Sequence, residues 1–445
     1  MKRFIAILIV LLLSVSLVAC GSGSGAPAAT TTPAPAAPAP APAPAPKPAT
    51  PAPTPSTPAP APAPTGYNGP VMQVDIVTMC PMSGSSARTG ILEEASISAA
   101  EQHMAEDNFL NPAYKLNFVR PFVDDESSTD KAPFAANLAI SLEPHGIIGH
   151  HLTTMILISM PFAEEARIPM IGIVSGPASV RQGWEFFHIG TVTDTDAAVT
   201  LAEYLVKERG FKNFLVMARN DEGGMAGAEA VIATIKTYGV SFDDTRQYML
   251  FASDDTDFTP HAMRAKDIGA DCVITYGLGG QNALTCYDQI EQLYARIPED
   301  VFYCGSTSFA QPSIAEMFPP DKLQGLVFPT GYIQDPNDPF KERFKHQFKA
   351  NDPQGFWPGD NNARVYDACW TFAGAINDMV EAEGYLDPAD KPFFRERLNY
   401  YISQHKRVGV QGNIDYSAFT DGRMLASGNI GEWQSDGQAI KVYPK

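Results

Sequence analysis

Hydroxyl side chains follow two of the apolar, strand-like runs in the first half of the chain. Thr153 and Thr154 come after one run, and the next run is followed by Ser175, Gly176 and Ser179. Hydroxyls and backbone N–H groups at helix N-termini bind small anions, because the helix dipole favours negative charge there. Serine and threonine also commonly cap helices without binding a ligand. Because two such turns end neighbouring strands, we expect them to form a binding site for a small anion.

Polar and glycine-containing turns follow the corresponding runs in the second half of the chain. These turns lie at 222–224, 277–281 and 306–308, and the binding candidates in them are Glu222, Gly279, Gln281, Ser306 and Thr307. We expect the turns of the two halves to face each other and to enclose one small polar ligand.

Other chemistries have little support in the residue pattern. His150 and His151 are adjacent, so along a strand they point to opposite faces, and no acid lies nearby at a metal-ligand spacing. The 277–280 loop lacks the GxGxxG spacing of a dinucleotide site, and the chain has no GxSxG motif. Cys304 ends an apolar run, where a packed thiol is the better interpretation than a nucleophile. We therefore expect no catalysis, no metal and no cofactor.

The elements that must position these side chains follow a repeated strand–helix rhythm. The first half predicts strands at 72–79, 116–123, 146–149, 169–174 and 186–190. The second half predicts strands at 213–218, 247–251, 272–276, 301–304 and 326–330. Helix-length amphipathic segments between the strands favour parallel sheets covered on both faces. We predict an α/β fold of two doubly wound lobes, with the ligand in the cleft at the carboxyl ends of the strands.

The last hundred residues predict a return of the chain to the first lobe. Helices are predicted at 339–349, 363–383 and 392–403, and turn signals divide the final forty residues into short antiparallel strands. We predict a first lobe of residues 67–192 and 335–410. The second lobe is predicted to contain residues 193–334 and 411–445, and a hinge of more than one strand joins the two.

The N-terminal sequence predicts the cellular location of the protein. Lys2 and Arg3 precede an unbroken apolar run from Phe4 to Leu13, and Leu17-Val18-Ala19 precede Cys20. A membrane span needs about 20 apolar residues, which this run lacks. The pattern is typical of a secretory signal, and the residues before Cys20 resemble the bacterial lipobox, in which the cysteine is lipidated. We predict a lipoprotein signal peptide at 1–20. We also expect an extracytoplasmic location, in the periplasm or the cell-wall space, with a lipid anchor in the cell membrane.

Residues 21–66 predict a spacer rather than a folded domain. They are almost entirely Ala, Pro and Thr after a short Gly/Ser stretch, with Lys47 as the sole charge. Such a segment has little to bury, and its prolines favour an extended polyproline II conformation. We expect a disordered linker that holds the folded part away from the membrane.

The charge of the folded part excludes some classes of partner. Residues 67–445 contain all 50 acidic residues and 29 of the 32 basic residues, a net charge of −21. Nucleic acids and anionic membrane surfaces require a basic face, so we expect neither, apart from the lipid anchor. Five cysteines remain beyond Cys20. Their odd number and spacing leave open both disulfides and buried thiols.

Several motifs, in their order along the chain, resemble a known family. Pro81-Met82-Ser83-Gly84 lies before the first helix, Ile168-Pro169-Met170-Ile171 precedes Ser175-Gly176, and Gly412-Asn413-Ile414-Asp415-Tyr416 lies in the tail. The chain is similar to type I periplasmic binding proteins of the leucine/isoleucine/valine class, the solute receptors of branched-chain amino acid ABC transporters. The resemblance implies that Thr153 and the residues near Ser175 and Gly176 hold a ligand carboxylate, and it adds Ser83 to the candidates.

The chain departs from this family at the predicted second-lobe site. Members that bind amino acids pair the ligand ammonium with an acid after the strand that matches 301–304, where this chain has Ser306-Thr307-Ser308. Two aromatic residues expected near Gly223 and near 279–280 are also missing. Asp221, Glu222 and Asp360 are alternative acids. The expected ligand is therefore an amino acid, an organic or aromatic acid, or an amide.

The resemblance implies a lipid-anchored solute-binding protein of an ABC importer, which closes two lobes around its ligand. Its partners are then a small-molecule ligand and the permease subunits of the transporter. The alternative is a receptor of the same fold that presents its ligand to a signalling partner.

Overall fold

The computed structural model describes residues 67–220, 222–252, 255, 257–277, 292, 301–310, 323–355, 357–426, 428–436 and 438–443, without the side chains of Ser85 and Glu222. The predicted signal peptide, Cys20 and the linker therefore lie outside the described residues, as do Gly279 and Gln281. Within the described part, no helix has the length and apolar character needed to cross a membrane.

The first sheet consists of five parallel strands. They are β1 (Met72–Cys80), β2 (Tyr114–Asp124), β3 (Gly146–Ile148), β4 (Met170–Gly172) and β5 (Phe187–Ile189). Their order in the sheet is β2-β1-β3-β4-β5, with β1 paired in parallel to both β2 and β3. The connecting helices are α1 (Ala87–Glu106), α2 (Ala132–Ser141) and α3 (Thr153–Glu165). The inner strands are buried on both faces, as expected of a parallel sheet covered by helices.

The second sheet begins with five more parallel strands. They are β6 (Phe214–Arg219), β7 (Tyr248–Phe251), β8 (Cys272–Tyr276), β9 (Phe302–Gly305) and β10 (Val327–Thr330). The described helices of this part are α4 (Asp194–Glu203), α5 (Glu222–Thr237), α6 (Asp244–Gln247) and α7 (Thr259–Ile268). The short α6 has no counterpart in the sequence prediction, because four residues are too few to show a helical period.

The chain then returns to the first lobe through three helices and a hairpin. These are α8 (Pro339–Asn351), α9 (Asp360–Glu383), α10 (Lys391–Gln404) and the antiparallel pair β11 (Lys406–Gly409) and β12 (Gly412–Asp415). The helix α9 packs on α1, and Phe372 of α9 lies directly against Gly146 in β3. An Arg88–Asp352 ion pair of 2.6 Å joins α1 to the residues that follow α8.

Two antiparallel strands complete the second sheet. They are β13 (Asn429–Trp433) and β14 (Ala439–Tyr443), and the full order is β14-β13-β10-β9-β8-β6-β7. The predicted fold class, two parallel α/β lobes, is confirmed. Ile414, Tyr416 and Met424 pack in one cluster with Phe187 of the first sheet, so the chain joins the second sheet only at β13. The exact lobe boundaries stay a prediction.

Three segments cross between the two sheets, and they form the hinge. The first crossover is 190–193, after β5, and the second is 331–338, after β10. The third precedes β13, and its described residues are 425, 426 and 428. A hydrogen bond from Asn429 Nδ2 to the Gly331 carbonyl joins the third crossover to the second. More than one strand therefore connects the lobes, as the sequence predicts.

The described cysteines are buried free thiols, which answers the question that the sequence left open for them. They are Cys80, Cys272, Cys304 and Cys369. The sulfurs of Cys272 and Cys304 are 3.9 Å apart on neighbouring strands. However, Cys304 is in register with Ile274 rather than with Cys272. A diagonal pair of this kind has a Cα separation of about 8 Å, beyond the reach of an unstrained disulfide.

We expect these four thiols to be protected in the native protein and reactive after unfolding. Iodoacetamide added to the native protein should leave the four cysteine peptides unmodified, because burial raises the pKa of Cys272 and Cys369 well above the ordinary value and excludes the reagent. The same reagent in guanidinium chloride without reductant should label all four, as measured by peptide mass spectrometry. A Cys272–Cys304 disulfide-linked peptide would contradict the structure.

Candidate functional site

Thr153 opens α3 immediately after the loop that follows β3. The N-cap of α3 is Leu152, and within the described residues no side chain caps the first turn. Helix geometry leaves the first N–H groups without partners inside the helix. Thr153 is half-buried and Thr154 is exposed. The Thr153 hydroxyl lies so close to Gly176 that a Cβ at that position would clash with it, so only glycine fits there.

The Ser175–Ser179 turn follows β4 beside Thr153. Ser179 is buried, and its hydroxyl donates to the Gly176 carbonyl at 2.8 Å, so its proton serves the turn itself. Ser175 is half-buried, and its carbonyl accepts a 2.7 Å hydrogen bond from the backbone N–H of Asp194. The structure therefore brings Thr153, Ser175 and Gly176 together, as the sequence predicts.

A buried polar chain fixes the loop that presents Thr153. His150 Nδ1 contacts the Asp125 carboxylate, and His150 Nε2 lies 2.9 Å from Ser159 Oγ. Ser159 Oγ in turn donates to the Ala132 carbonyl at 3.2 Å. This order of acid, histidine and serine is that of a catalytic triad, but the side chains of all three have no exposed surface. We therefore assign the network to fixing the loop between β3 and α3, not to catalysis.

Ser306 and Thr307 follow β9 at the carboxyl end of the second sheet. The Ser306 N–H donates to the Thr275 carbonyl, and the Ser306 hydroxyl accepts a long 3.4 Å bond from the Ser308 N–H. The Thr307 hydroxyl donates to Asp194 Oδ1 at 2.9 Å. Thr307 and Ser306 are both largely buried. The two hydroxyls thus belong to one turn, and one of them already holds a carboxylate.

Asp194 is a candidate site residue that the sequence did not single out. It is the first residue of α4, where an acid is ordinarily explained by the helix dipole. The structure places its carboxylate beside the Thr307 hydroxyl of the second lobe, while its backbone N–H donates to the Ser175 carbonyl of the first. Burial raises the pKa of the Asp194 carboxyl, against the opposing effects of the Arg364 charge and of hydrogen bonds from Thr307 and Ser175. Among the described residues, no basic side chain forms an ion pair with it.

The remaining candidates have other surroundings or are not described. Ser83 is exposed, and its N–H donates to Asp124 Oδ1 at 3.3 Å. Glu222 begins α5, but its side chain is not described, and Gly279 and Gln281 lie outside the described residues. Asp360 is already paired with Arg364 and accepts the Tyr332 N–H at 2.9 Å. Asp360 is therefore a weaker partner for a ligand cation than Asp194.

The alternative chemistries gain no support from the described residues. In this part of the chain, no three His, Cys, Asp or Glu side chains are grouped to hold a metal ion. Burial lowers the pKa of His151 to about 4, so this ring is neutral at neutral pH. Cys304 has no exposed surface and packs inside the second sheet, which is unsuitable for a nucleophile.

The sequence matches the family model of the periplasmic binding proteins over residues 73–438. The chain belongs to this family. The resemblance predicted from the motifs is thereby confirmed, and membership implies an extracytoplasmic location. No curated protein matches the chain by sequence.

Solved structures of this family have the same fold at low sequence identity. A leucine-binding protein from Thermotoga maritima is 21% identical, with a TM-score of 0.67 over 83% of this chain and 97% of that chain. A branched-chain amino acid transporter substrate-binding protein from Streptococcus pneumoniae, in complex with isoleucine, is 16% identical, with a TM-score of 0.66 over 84% and 100%. An ABC transporter solute-binding protein from R. palustris, in complex with benzoate, is 17% identical, with a TM-score of 0.66 over 83% and 95%.

We expect Thr153 and Thr154 to differ in their effect on ligand binding. Thr153→Ala removes a hydroxyl that packs on Gly176 beside Ser175, so the affinity for a carboxylate ligand should fall by about tenfold, the effect of one strong hydrogen bond. Thr154→Ala removes an exposed hydroxyl of the same helix turn and is the matched control. Titration calorimetry measures both affinities, and thermal melts confirm folding. Equal affinities for the two variants would remove Thr153 from the site.

Proposed function

We propose that this protein is a lipid-anchored extracytoplasmic solute-binding protein of an ABC importer, and that it captures a small amino acid in the cleft between its lobes. Family membership supports the receptor role. Two of the similar structures, named as binding leucine and solved with isoleucine, support an amino-acid ligand.

Asp194 is the observation that carries the amino-acid proposal. A half-buried carboxylate that has no ion-pair partner among the described residues is unfavourable, and a ligand ammonium compensates for its partial desolvation. The first turn of α3 packs on Gly176, which follows Ser175. Its N–H groups and the Thr153 hydroxyl can bind a carboxylate. A ligand with an ammonium at one end and a carboxylate at the other matches these two ends. Asp194 thus replaces the acid that is missing after β9.

The proposed ligand contacts come from both lobes. We assign the carboxylate end to Thr153, Ser175 and Gly176, and the ammonium end to Asp194, with Ser306 and Thr307 beside it. Further contacts from Ser83, Ser179, Glu222, Gly279 and Gln281 stay predictions, and the exposed Thr154 is assigned no ligand contact. Closure of the lobes follows from a ligand that contacts both of them.

An aromatic carboxylate is the second candidate ligand. The raised pKa of Asp194 favours this ligand in one respect, because a protonated carboxyl donates a hydrogen bond to a carboxylate oxygen instead of repelling it. The benzoate complex of the R. palustris protein supports a ligand of this class. The two candidates therefore differ in the charge that they require on Asp194.

The proposal includes the partners and the location predicted from the sequence. The permease subunits of an importer receive the ligand, the chain performs no catalysis, and lipidated Cys20 with the 21–66 linker tethers the lobes to the membrane. A receptor that serves a signalling partner uses the same site, so the ligand tests below apply to either partner.

Asp194→Asn should abolish L-leucine binding, whereas Asp196→Asn should preserve it. Asp196 lies two residues away on α4 and accepts a 2.6 Å hydrogen bond from the Thr193 hydroxyl, which makes it a matched control. The affinity of the unmutated protein should increase as the pH rises through the raised pKa of Asp194, because the ammonium requires the ionised form. Calorimetry in two buffers of different ionisation enthalpy should show proton release on binding. Affinity that is independent of pH would exclude Asp194 as the ammonium partner.

The free protein should show the opposite pH dependence in its stability. Because the pKa of the Asp194 carboxyl is raised in the native state, its protonation contributes to the free energy of unfolding. This contribution is present in full below the ordinary carboxyl pKa and is lost as the pH rises through the native pKa. Asp194→Asn should remove this pH-dependent contribution to the free energy of unfolding. Denaturant melts between pH 4 and 7, a range of about three units above the ordinary pKa, measure it in both proteins.

Cys20→Ser should release the protein from the membrane when the full chain is expressed in a bacterial host. Without the thiol there is no site for the lipid, so the protein should move from the detergent phase to the aqueous phase in a detergent-partition assay. Metabolic labelling with a fatty acid should be lost at the same time. Unchanged partition of Cys20→Ser would contradict the lipid anchor.

A further inference from the structure

Gln411 lies where the hinge segments meet. It is 1% exposed and occupies the turn between β11 and β12, on the first-lobe side. Its Nε2 donates a 2.9 Å hydrogen bond to the carbonyl of Gly190, the first residue of the first crossover. One side chain of the first lobe therefore contacts the backbone on which the second lobe is carried.

The second crossover also packs against the Gln411 side chain. A Cβ added at Gly331 would lie 3.0 Å from Gln411 Oε1 and 2.7 Å from the Thr191 hydroxyl. No side chain larger than glycine fits at position 331 without displacing these groups. The first and second crossovers are thus packed against each other around the Gln411 amide.

The helix α9 holds the Gln411 turn rigidly. Asp367 of α9 accepts hydrogen bonds from the N–H groups of Val410 and Gln411 at 3.1 and 3.0 Å, and from Arg407 Nη1 at 2.6 Å. Asp367 is almost completely buried, so these charge-assisted bonds are shielded from water. The Gly190 N–H also donates to the Gly172 carbonyl of β4 at 2.8 Å. The Gln411 bond and this bond together fix the point at which the first crossover leaves the first lobe.

We propose that Gln411 is a positioning residue that sets the equilibrium between lobe arrangements. In the arrangement described here, the first-lobe turn Pro177–Gln182 contacts α5 of the second lobe. The Gln411–Gly190 bond stabilises this arrangement, and its loss shifts the population towards separated lobes. The effect on affinity rests on the proposed function; the effect on the hinge itself does not.

Gln411→Met tests this role, with Gln247→Met as the matched control. Gln247 is 8% exposed, and its Nε2 donates to the Phe214 carbonyl at 2.9 Å and to Asn213 Oδ1 at 3.0 Å. It is the last residue of α6, and its side chain contacts the N-terminal end of β6, away from the crossovers. Both variants remove a buried amide that donates to a backbone carbonyl, and both keep the length of the side chain.

Two measurements are made on the full folded part, residues 67–445. Hydrogen exchange of the ligand-free protein should be faster at residues 190–193 in Gln411→Met than in Gln247→Met. The L-leucine affinity of Gln411→Met should be about two- to tenfold weaker, the effect of one hydrogen bond, with a faster dissociation rate. Gln247→Met should lower the thermal midpoint without either change.

The outcomes separate this inference from the proposed function. If Gln411→Met matches Gln247→Met in exchange at 190–193, the positioning role is wrong, whatever the affinity. If the unmutated protein binds no L-leucine, the amino-acid proposal fails, and the exchange comparison alone decides the role of Gln411. Gly331→Ala is an independent variant: its methyl group should displace the Gln411 amide and reproduce the faster exchange. Unchanged exchange in Gly331→Ala would also overturn the inference.

Discussion

The partial removal of the Asp194 carboxylate from water is the constraint on which the arrangement of the proposed site depends. The Thr307 hydroxyl of the second lobe donates to this carboxylate, and the Asp194 backbone N–H donates to the Ser175 carbonyl of the first lobe. Burial opposes its ionisation, so its charge becomes favourable when a cation arrives. The proposed carboxylate end of the ligand site is the N-terminus of α3, and the proposed closure of the hinge brings the two ends together around a ligand.

Much of the fold was predictable because its signals are local. Strands such as β1 and β8 are short apolar runs with turns at both ends, and Thr153 and Ser175 were found because they follow such runs directly. The parallel connection then requires that they meet at one edge of the sheet. The sequence motifs indicated the family, and the match to the family model confirmed it.

The parts that sequence reasoning missed depend on distant partners. Asp194 has the local pattern of an ordinary helix N-terminus, and its partner Thr307 is 113 residues away along the chain. His150 was weighed as a metal ligand, but its partners are Asp125 and Ser159, which no spacing rule connects. Gln411 has no local signal at all, since its role depends on a contact with Gly190 across 221 residues.

The most direct test of the central claim is a thermal-shift comparison of three ligands on residues 67–445. These are L-leucine, 4-methylpentanoate, which lacks the amine, and isopentylamine, which lacks the carboxylate. A site with Asp194 at one end and the α3 N-terminus at the other predicts that L-leucine alone raises the thermal midpoint. At one hundred times its dissociation constant, L-leucine should raise the free energy of unfolding by about 2.7 kcal/mol. Stabilisation by 4-methylpentanoate equal to that by L-leucine would contradict an ammonium site at Asp194.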